Sequence, residues 1–184
     1  MNEVHIDQML AIYSCYVENS AITFEYEIPG LAEWKGRIED RKYDFPILVA
    51  IEEDKVIGYS YAGKLFTRIG YRWSAESSVY IHPDYHGKGV GKILYRKLIE
   101  ILTAQGFKNV IATITIPNPK SEQLHHSLGF NMAGTLKNIG YKFNQWFDLR
   151  WYQLIINENN QQEIFPIKFK DLNPLVLEKI LQNE

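Results

Sequence analysis

The sequence has a single cysteine, Cys15, no surplus of basic residues and no long apolar run. One cysteine excludes an intrachain disulfide and a multi-cysteine zinc cluster, and it suits a reducing compartment. Twenty basic residues stand against 22 acidic ones, so the net charge of -2 does not favour a nucleic-acid backbone as partner. The first residues lack the features of a signal peptide, and no stretch approaches about 18 apolar residues in succession. We therefore expect a cytoplasmic protein with neither a nucleic-acid nor a membrane partner.

The sequence does have enough apolar material for one folded domain. Its 184 residues are 46% hydrophobic and 14% aromatic, which favours a single core. We expect this domain to span residues 1–156. Residues 157–184 then form a C-terminal extension, whose polar start at 157–162 is typical of a linker and whose later leucines predict a short helix with Asp171 or Asn173 as its cap.

Hydrophobic spacing predicts an α/β (α+β) chain. Two amphipathic helices come first, over about 7–17 and 30–41, and a hairpin of two strands turns at about 52–55. A third extended segment ends at Ile81, and a strong helix follows from Val90 until Gly106 ends it. Asn118 and Pro119 suit the cap and first position of another helix. The remaining predicted strands cover 109–116, 130–135 and 142–156.

A glycine-rich turn lies between the third predicted strand and the third predicted helix. Three glycines in five residues, Gly87, Gly89 and Gly91, allow backbone N–H groups to turn toward a ligand at the positive end of a helix. This geometry suits a pyrophosphate. Neither the dinucleotide fingerprint nor the nucleotide P-loop fits, because Lys92 and His86 stand where those motifs require glycine. The alternative is a glycine-rich turn without a ligand.

This turn resembles the acetyl-CoA signature of the GNAT superfamily of N-acetyltransferases. That signature is Gln or Arg, two residues, Gly, one residue, then Gly or Ala, and His86-x-x-Gly89-x-Gly91 is similar to it with a histidine in first place. A later element of the superfamily, Asn followed by Tyr and then Gly-Phe, resembles Asn118, His125 and Gly129-Phe130, again with a histidine as the departure.

The second histidine indicates a subfamily. From Tyr13 to about Leu154 the chain is similar to the phosphinothricin and methionine sulfone acetyltransferases, which carry a histidine in this context. The similar stretches include Thr23-Phe24, the run from Tyr71 to Tyr80, and Gly140-Tyr141-Lys142. The tail after about Asn157 lies outside the resemblance.

The resemblance implies a fold, a reaction and an assembly. The fold would be that of the GNAT superfamily, a central mixed, mostly antiparallel sheet flanked by helices. The reaction would move the acetyl group of acetyl-CoA to the amino group of a small amino-acid-like acceptor, by direct attack in a ternary complex and without a metal. The assembly would be a homodimer. Two alternatives stay open: a GNAT enzyme that acetylates a protein N-terminus or lysine, and a non-catalytic acyl-CoA-binding module.

The resemblance also implies roles for particular residues. Glu76 would be the general base, although from the strand pattern alone it could face solvent. His125 would lie near the thioester or protonate the leaving thiolate, although a histidine beside His126 on a helix is more often a satisfied structural residue. The acceptor would contact Phe24, Arg68 and Tyr71, and a solvated Arg68 is the alternative there. Acetyl-CoA would be bound by Val79, Tyr80, Ile81, Gly87, Lys88, Gly89, Val90, Gly91, Lys92 and Asn118.

Overall fold

A computed structural model of the chain describes residues 3–158 and 164–182, and its centre is one six-stranded sheet. The strands lie in the order β1-β2-β3-β4-β6-β5. They span Ile47–Glu52 (β1), Lys55–Lys64 (β2), Ser74–Ile81 (β3), Asn109–Ile116 (β4), Asn131–Lys142 (β5) and Gln145–Ile155 (β6). The helices span Glu3–Asn19 (α1), Leu31–Glu39 (α2), Val90–Gln105 (α3), Pro119–Ser127 (α4) and Pro174–Gln182 (α5).

Each face of the sheet buries its own core because helices cover both faces. On one face α1 and α2 pack on β2, with Met9, Tyr13, Trp34 and Tyr59 almost fully buried. On the other face α3 packs on β1, β2 and β3, and its residues contribute to a second cluster. That cluster includes Tyr95, Leu98, Leu102, Val110, Ala112, Ile114 and Phe130. The chain is therefore a three-layer α/β structure. Its mixed, mostly antiparallel sheet flanked by helices is the fold that the resemblance implies.

The pair β3–β4 is parallel, whereas the other neighbouring strands are antiparallel. Within the described strands this pair has a short ladder, which ends where Glu76 lies beside Ile111. Beyond that point β3 continues to Ile81 and β4 to Ile116, and each keeps hydrogen bonds only to its outer neighbour. The two strands therefore diverge and leave a cleft between edges whose backbone groups this ladder does not use.

The predicted order of helices and strands is confirmed, and one boundary is wrong. Residues 136–141 are not a loop, because β5 runs on to Lys142, which ends this strand and does not begin the next. The pairing register shifts between Leu136 and Gly140, and Asn138 has a φ of 49°. Such a bulge interrupts the alternation of inward and outward side chains, so the hydrophobic pattern indicated a break.

The C-terminal extension is attached to the domain. Its helix α5 begins after Asn173, whose side-chain oxygen accepts a hydrogen bond from Leu175 N at 2.9 Å. Nζ of Lys97 on α3 donates to Ile180 O at 2.8 Å, so α5 contacts α3. The predicted linker at 157–162 falls mostly on residues outside the described part. Among the described helices, none is long and apolar enough to cross a membrane.

Candidate functional site

The cleft between β3 and β4, which we call the strand cleft, gathers several of the predicted site residues. Val79 and Tyr80 line it from β3, and Asn118 and His125 line it from the start and the last turn of α4. Its remaining lining residues are Ile22, Ser77, Ser78, Ala112, Thr113, Ile114, Thr115 and Ser121.

Ile81, the last predicted contact on β3, has its backbone engaged by a side chain. The hydroxyl of Tyr16 donates to Ile81 O at 2.5 Å and accepts from Ile81 N at 3.3 Å. Nε2 of His86 lies 2.9 Å from the same hydroxyl and 3.1 Å from Ile81 O. Because a carbonyl only accepts, Nε2 carries the proton when it bonds Ile81 O. His86, which departs from the acetyl-CoA signature, thus fastens the glycine turn to α1 and β3.

The glycine turn has the backbone geometry that an anion site requires. Gly87 and Gly89 have φ of 77° and 83°, and an added Cβ would meet nothing within 4 Å at either. Glycine is therefore required by conformation and not by crowding. Helix α3 begins at Val90 with no side-chain cap, and the amides of Lys92 and Ile93 donate to Gly89 O, so the amides that precede them are the ones available to an anion. Lys88 and Lys92 are exposed beside them.

Asn118 has the predicted place at the start of α4. Its side-chain oxygen accepts from Ser121 N at 3.2 Å, and Pro119 takes the first helical position. The side chain also borders the strand cleft. Because the side-chain oxygen of Asn118 accepts the capping hydrogen bond, the side-chain NH₂ is the group that can face a ligand.

Glu76 lies where β3 and β4 begin to diverge. Its side chain is half-buried, and burial raises the pKa of its carboxyl above the usual range, while Arg41 acts in the opposite direction. A carboxylate whose charged form is disfavoured by burial takes up a proton more readily than one in water. Glu76 thus has the property that a base acting near neutral pH requires.

His125 is buried, with both ring nitrogens engaged by protein atoms. Nδ1 lies 2.7 Å from Ser121 O, and Nε2 lies 3.1 Å from the hydroxyl of Tyr95 on α3. That hydroxyl is 2.6 Å from Ser77 Oγ, which donates to Ile111 O at 3.1 Å. A chain of hydrogen bonds therefore runs from α4 through α3 to the point where β3 and β4 part.

The protons available in this chain depend on the charge of His125. A neutral ring donates once, to Ser121 O, so Tyr95 must donate to Nε2 and the single Ser77 proton serves either Tyr95 or Ile111 O. A doubly protonated ring donates from Nδ1 to Ser121 O and from Nε2 to the Tyr95 hydroxyl. Tyr95 can then donate to Ser77 and Ser77 to Ile111 O, so each contact has one proton. Burial acts against this and lowers the pKa of His125, with His126 adding to the effect.

Arg68 and Tyr71 line a second cavity of about 220 Å³, which we call the basic cavity. It lies at the beginning of β3, where Ser74 forms part of the wall. Four of its lining residues are cationic and one is acidic: Lys64, Arg68, Arg72, Lys168 and Asp44.

Phe24 lines neither the strand cleft nor the basic cavity. Its ring packs on β5, where a Cβ at Gly140 would come within 2.1 Å of it, and lies near Phe147 at 6.3 Å between centroids. The structure thus brings Arg68 and Tyr71 together and places Phe24 apart from them.

Three polar residues of this region carry no predicted role. Tyr95 and Ser77 lie at helix and strand positions that face the core, so spacing predicts packing for them, and only their hydroxyls distinguish them from Phe and Ala. Lys142 is 3% exposed and donates to Val17 O, Ser20 O and Thr23 O at 2.7, 2.8 and 2.9 Å. A lysine at the start of a predicted strand was the available signal, because a buried cation requires such partners.

Over residues 3–158 and 164–182, no group of three histidine, cysteine, aspartate or glutamate side chains could hold a metal ion. The predicted chemistry at Glu76 and His125 is acid–base chemistry and uses no such group.

Comparison with known proteins gives one consistent result. Residues 1–151 match the family model described as an acetyltransferase (GNAT) domain. The chain is 39% identical over 142 residues to a phosphinothricin N-acetyltransferase of Streptomyces viridochromogenes, covering 77% of this chain and 78% of that protein. It is 36% identical over 148 residues to an L-methionine sulfoximine/L-methionine sulfone acetyltransferase of Pseudomonas aeruginosa, covering 79% and 86%.

A solved structure extends the comparison to nearly the whole chain. The model superposes with a TM-score of 0.83 on a GNAT superfamily phosphinothricin acetyltransferase from Sinorhizobium meliloti in complex with acetyl-CoA. The two are 34% identical, and the match covers 95% of this chain and 93% of the other.

Proposed function

Because this chain belongs to the GNAT acetyltransferase family, we propose that it transfers the acetyl group of acetyl-CoA to the amino group of a small amino-acid-like acceptor. One observation carries the assignment of sites. Along β3, Ser74 lines the basic cavity and Ser77 to Tyr80 line the strand cleft, so Glu76 lies between the two. Consecutive residues of a strand are about 3.3 Å apart, which keeps both cavities within about 7 Å of Glu76 along the backbone.

The strand cleft and the glycine turn form the proposed donor side. The backbone of Val79 and Tyr80 borders the cleft, and the uncapped amides of α3 suit the negative charge of a pyrophosphate. Gly87 to Lys92 would bind the pyrophosphate end of acetyl-CoA. Asn118 and the point where β3 and β4 begin to diverge would lie toward its other end. Acetyl-CoA, when bound, supplies a thioester carbonyl and a thiolate leaving group.

Glu76 is the proposed general base. An amino acid carries its amine as an ammonium at neutral pH, and this ammonium must lose a proton before nitrogen can attack a carbonyl. The half-buried Glu76 carboxylate, with its raised pKa, accepts that proton directly or through one water. Burial raises the pKa of Glu76, and Arg41 acts against this rise by favouring the ionised carboxylate.

His125 is the proposed proton donor for the thiolate. The network from Ser121 O to Ile111 O has an acceptor for each N–H of a protonated ring, while burial makes that ring a stronger acid than a histidine in water. The proton would be held at Nε2, shared with the Tyr95 hydroxyl. Its transfer returns the ring to the neutral form that burial favours.

The basic cavity is the proposed acceptor side. The planar guanidinium of Arg68 can donate two parallel hydrogen bonds to a carboxylate or phosphinate. Tyr71 adds an aromatic wall and Lys64 a second positive charge. A zwitterionic or acidic amino acid of a few heavy atoms suits a volume of about 220 Å³.

The test is release of free CoA from acetyl-CoA, measured with phosphinothricin, methionine sulfone, methionine sulfoximine and the common amino acids. Turnover of at least one of these supports the proposal. Peptides with a free N-terminus or an internal lysine form a second panel, and turnover of these alone would transfer the function to the protein-acetylating alternative. Binding of acetyl-CoA without turnover of either panel would favour the non-catalytic module.

We also propose a homodimer located in the cytoplasm, without nucleic-acid or membrane partners. Large apolar side chains of β5 and β6 are exposed and support a protein interface there: Met132, Leu136, Ile139, Tyr141 and Trp146 are 42–60% exposed. Light scattering on the purified protein measures the mass directly, and a mass near 21.5 kDa would contradict the dimer.

A further inference from the structure

Residues 164–168, a segment of the C-terminal extension, are held against the domain beside the basic cavity. Nε1 of Trp73 donates to Ile164 O at 2.9 Å, and the Trp73 ring stacks on Phe165 at 5.0 Å between centroids. Gln105 exchanges two hydrogen bonds with Ile167, through its backbone oxygen at 2.9 Å and its side-chain nitrogen at 2.8 Å. The segment is therefore held on the domain by contacts from Trp73, the residue before β3, and from Gln105 at the end of α3.

This segment supplies a wall to the cavity. Phe165, Pro166, Ile167 and Lys168 all line it, together with Arg68 and Tyr71 of the loop before β3. The guanidinium of Arg72 lies over the Phe165 ring at 4.8 Å from the centroid, so the segment also fixes a cation at the rim.

The charges around the cavity are unequal. The Asp44 carboxylate is paired with Lys168 at 2.9 Å, which joins the segment to the loop before β1. Over the described residues, no ion pair joins a carboxylate to Lys64, Arg68 or Arg72. The cavity therefore presents positive charge that a bound ligand could neutralise.

We propose that residues 164–168 form one wall of the acceptor cavity and, through Phe165 and Lys168, give the enzyme its preference for acceptors with a second negative charge. This inference rests on the proposed function, because it concerns the acceptor of that reaction. The family match ends at residue 151, so the match itself assigns nothing to this segment.

The experiment compares the full-length protein with Phe165→Ala and Lys168→Gln, using an acidic acceptor (phosphinothricin or glutamate) and a neutral one (methionine). We expect the ratio of kcat/KM for acidic over neutral acceptor to fall about fivefold in each variant, because each loses one contact at the wall, the Arg72–Phe165 contact or the Asp44–Lys168 ion pair. The KM for acetyl-CoA should be unchanged. Leu175→Ala, on the exposed side of α5, is the matched control in the same extension.

The outcomes separate this inference from the proposed function. If the wild type acetylates amino acids and both variants keep its acceptor ratio, the wall does not select the acceptor and the inference is overturned while the function stands. If the wild type acetylates no amine, the proposed function fails. The inference is then decided by the rise in Tm on adding phosphinothricin or glutamate, which requires no turnover: a rise in the wild type that is smaller in Phe165→Ala supports it, and equal or absent rises contradict it.

Discussion

The hydroxyl of Tyr95 lies 3.1 Å from Nε2 of His125, which places a phenol of α3 against the ring of a histidine that lines the strand cleft. Neither group is near the other in sequence. The contact exists because α3 and α4 both pack toward the same end of the sheet, and it ties the protonation of His125 to a residue that does not itself line the strand cleft.

Tyr95→Phe tests this relationship. Loss of the hydroxyl leaves Nε2 of a charged ring without an acceptor, so the pKa of His125 should fall further. One hydrogen bond is worth about 1 kcal/mol, and we expect kcat to decrease roughly fivefold with little change in KM. Titration of the His125 ring signals by NMR measures the pKa, and the pH profile of kcat measures the consequence. Tyr43→Phe is the control, because Tyr43 is 55% exposed and far along the chain from this network. An unchanged His125 pKa would show that the network does not control the proton.

The network also shows where prediction from sequence stops. Helix caps and turns depend on residues that are close together in the sequence. Gly106 therefore predicted the end of α3, Asn118 and Pro119 predicted the start of α4, and the structure confirms both limits. The pairing of Tyr95 with His125 depends on how two helices pack over one sheet, and no periodicity in either helix encodes it. For the same reason the extension could be recognised as a helix but not as a wall of a cavity.

Glu76→Gln should remove activity without loss of stability. General-base catalysis contributes on the order of 10²- to 10⁴-fold, so kcat should fall at least about a hundredfold. Burial raises the folded-state pKa of Glu76, so its contribution to stability is present below the unfolded pKa and is lost as pH rises through the folded pKa. At neutral pH the wild type bears the cost of a half-buried charge, and the glutamine variant does not.

The Tm of wild type and Glu76→Gln should therefore be measured at about pH 4 and at about pH 7. The Tm of the variant relative to that of the wild type should be higher at neutral pH than at acidic pH. A variant that is much less stable at neutral pH would indicate that the carboxylate has a structural partner, and wild-type turnover with every accepted amine would overturn the assignment of the base.

Gly89→Ala tests the glycine turn. At a φ of 83° an alanine costs roughly 1–2 kcal/mol, although its Cβ would meet no atom within 4 Å. If the turn relaxes to relieve this strain, the amides at the start of α3 change direction, and the KM for acetyl-CoA should rise about tenfold. Gly36→Ala is the control, because Gly36 lies inside α2 with open space at its Cβ and alanine favours a helix there. Equal KM values in the two variants would contradict an anion site at this turn.

Lys142→Met concerns the loop that follows α1. All three N–H groups of this buried ammonium donate to backbone carbonyls, those of Val17, Ser20 and Thr23, so the side chain ties the end of β5 to the segment that carries Phe24. Methionine has a similar volume but no donor, and three carbonyls would lose their partner. We expect a loss of about 3 kcal/mol in the free energy of unfolding, measured by urea titration.

The matched control for this change is Lys137→Met on the same strand. Lys137 is 76% exposed at its side chain and pairs with Asp148, so its replacement should cost well under about 1 kcal/mol. If Lys142→Met also raises the acceptor KM while leaving the acetyl-CoA KM unchanged, the Phe24 loop belongs to the acceptor side even though Phe24 lines neither cavity. If stability falls and both KM values stay the same, Lys142 has a structural role alone, and Phe24 should be removed from the acceptor site.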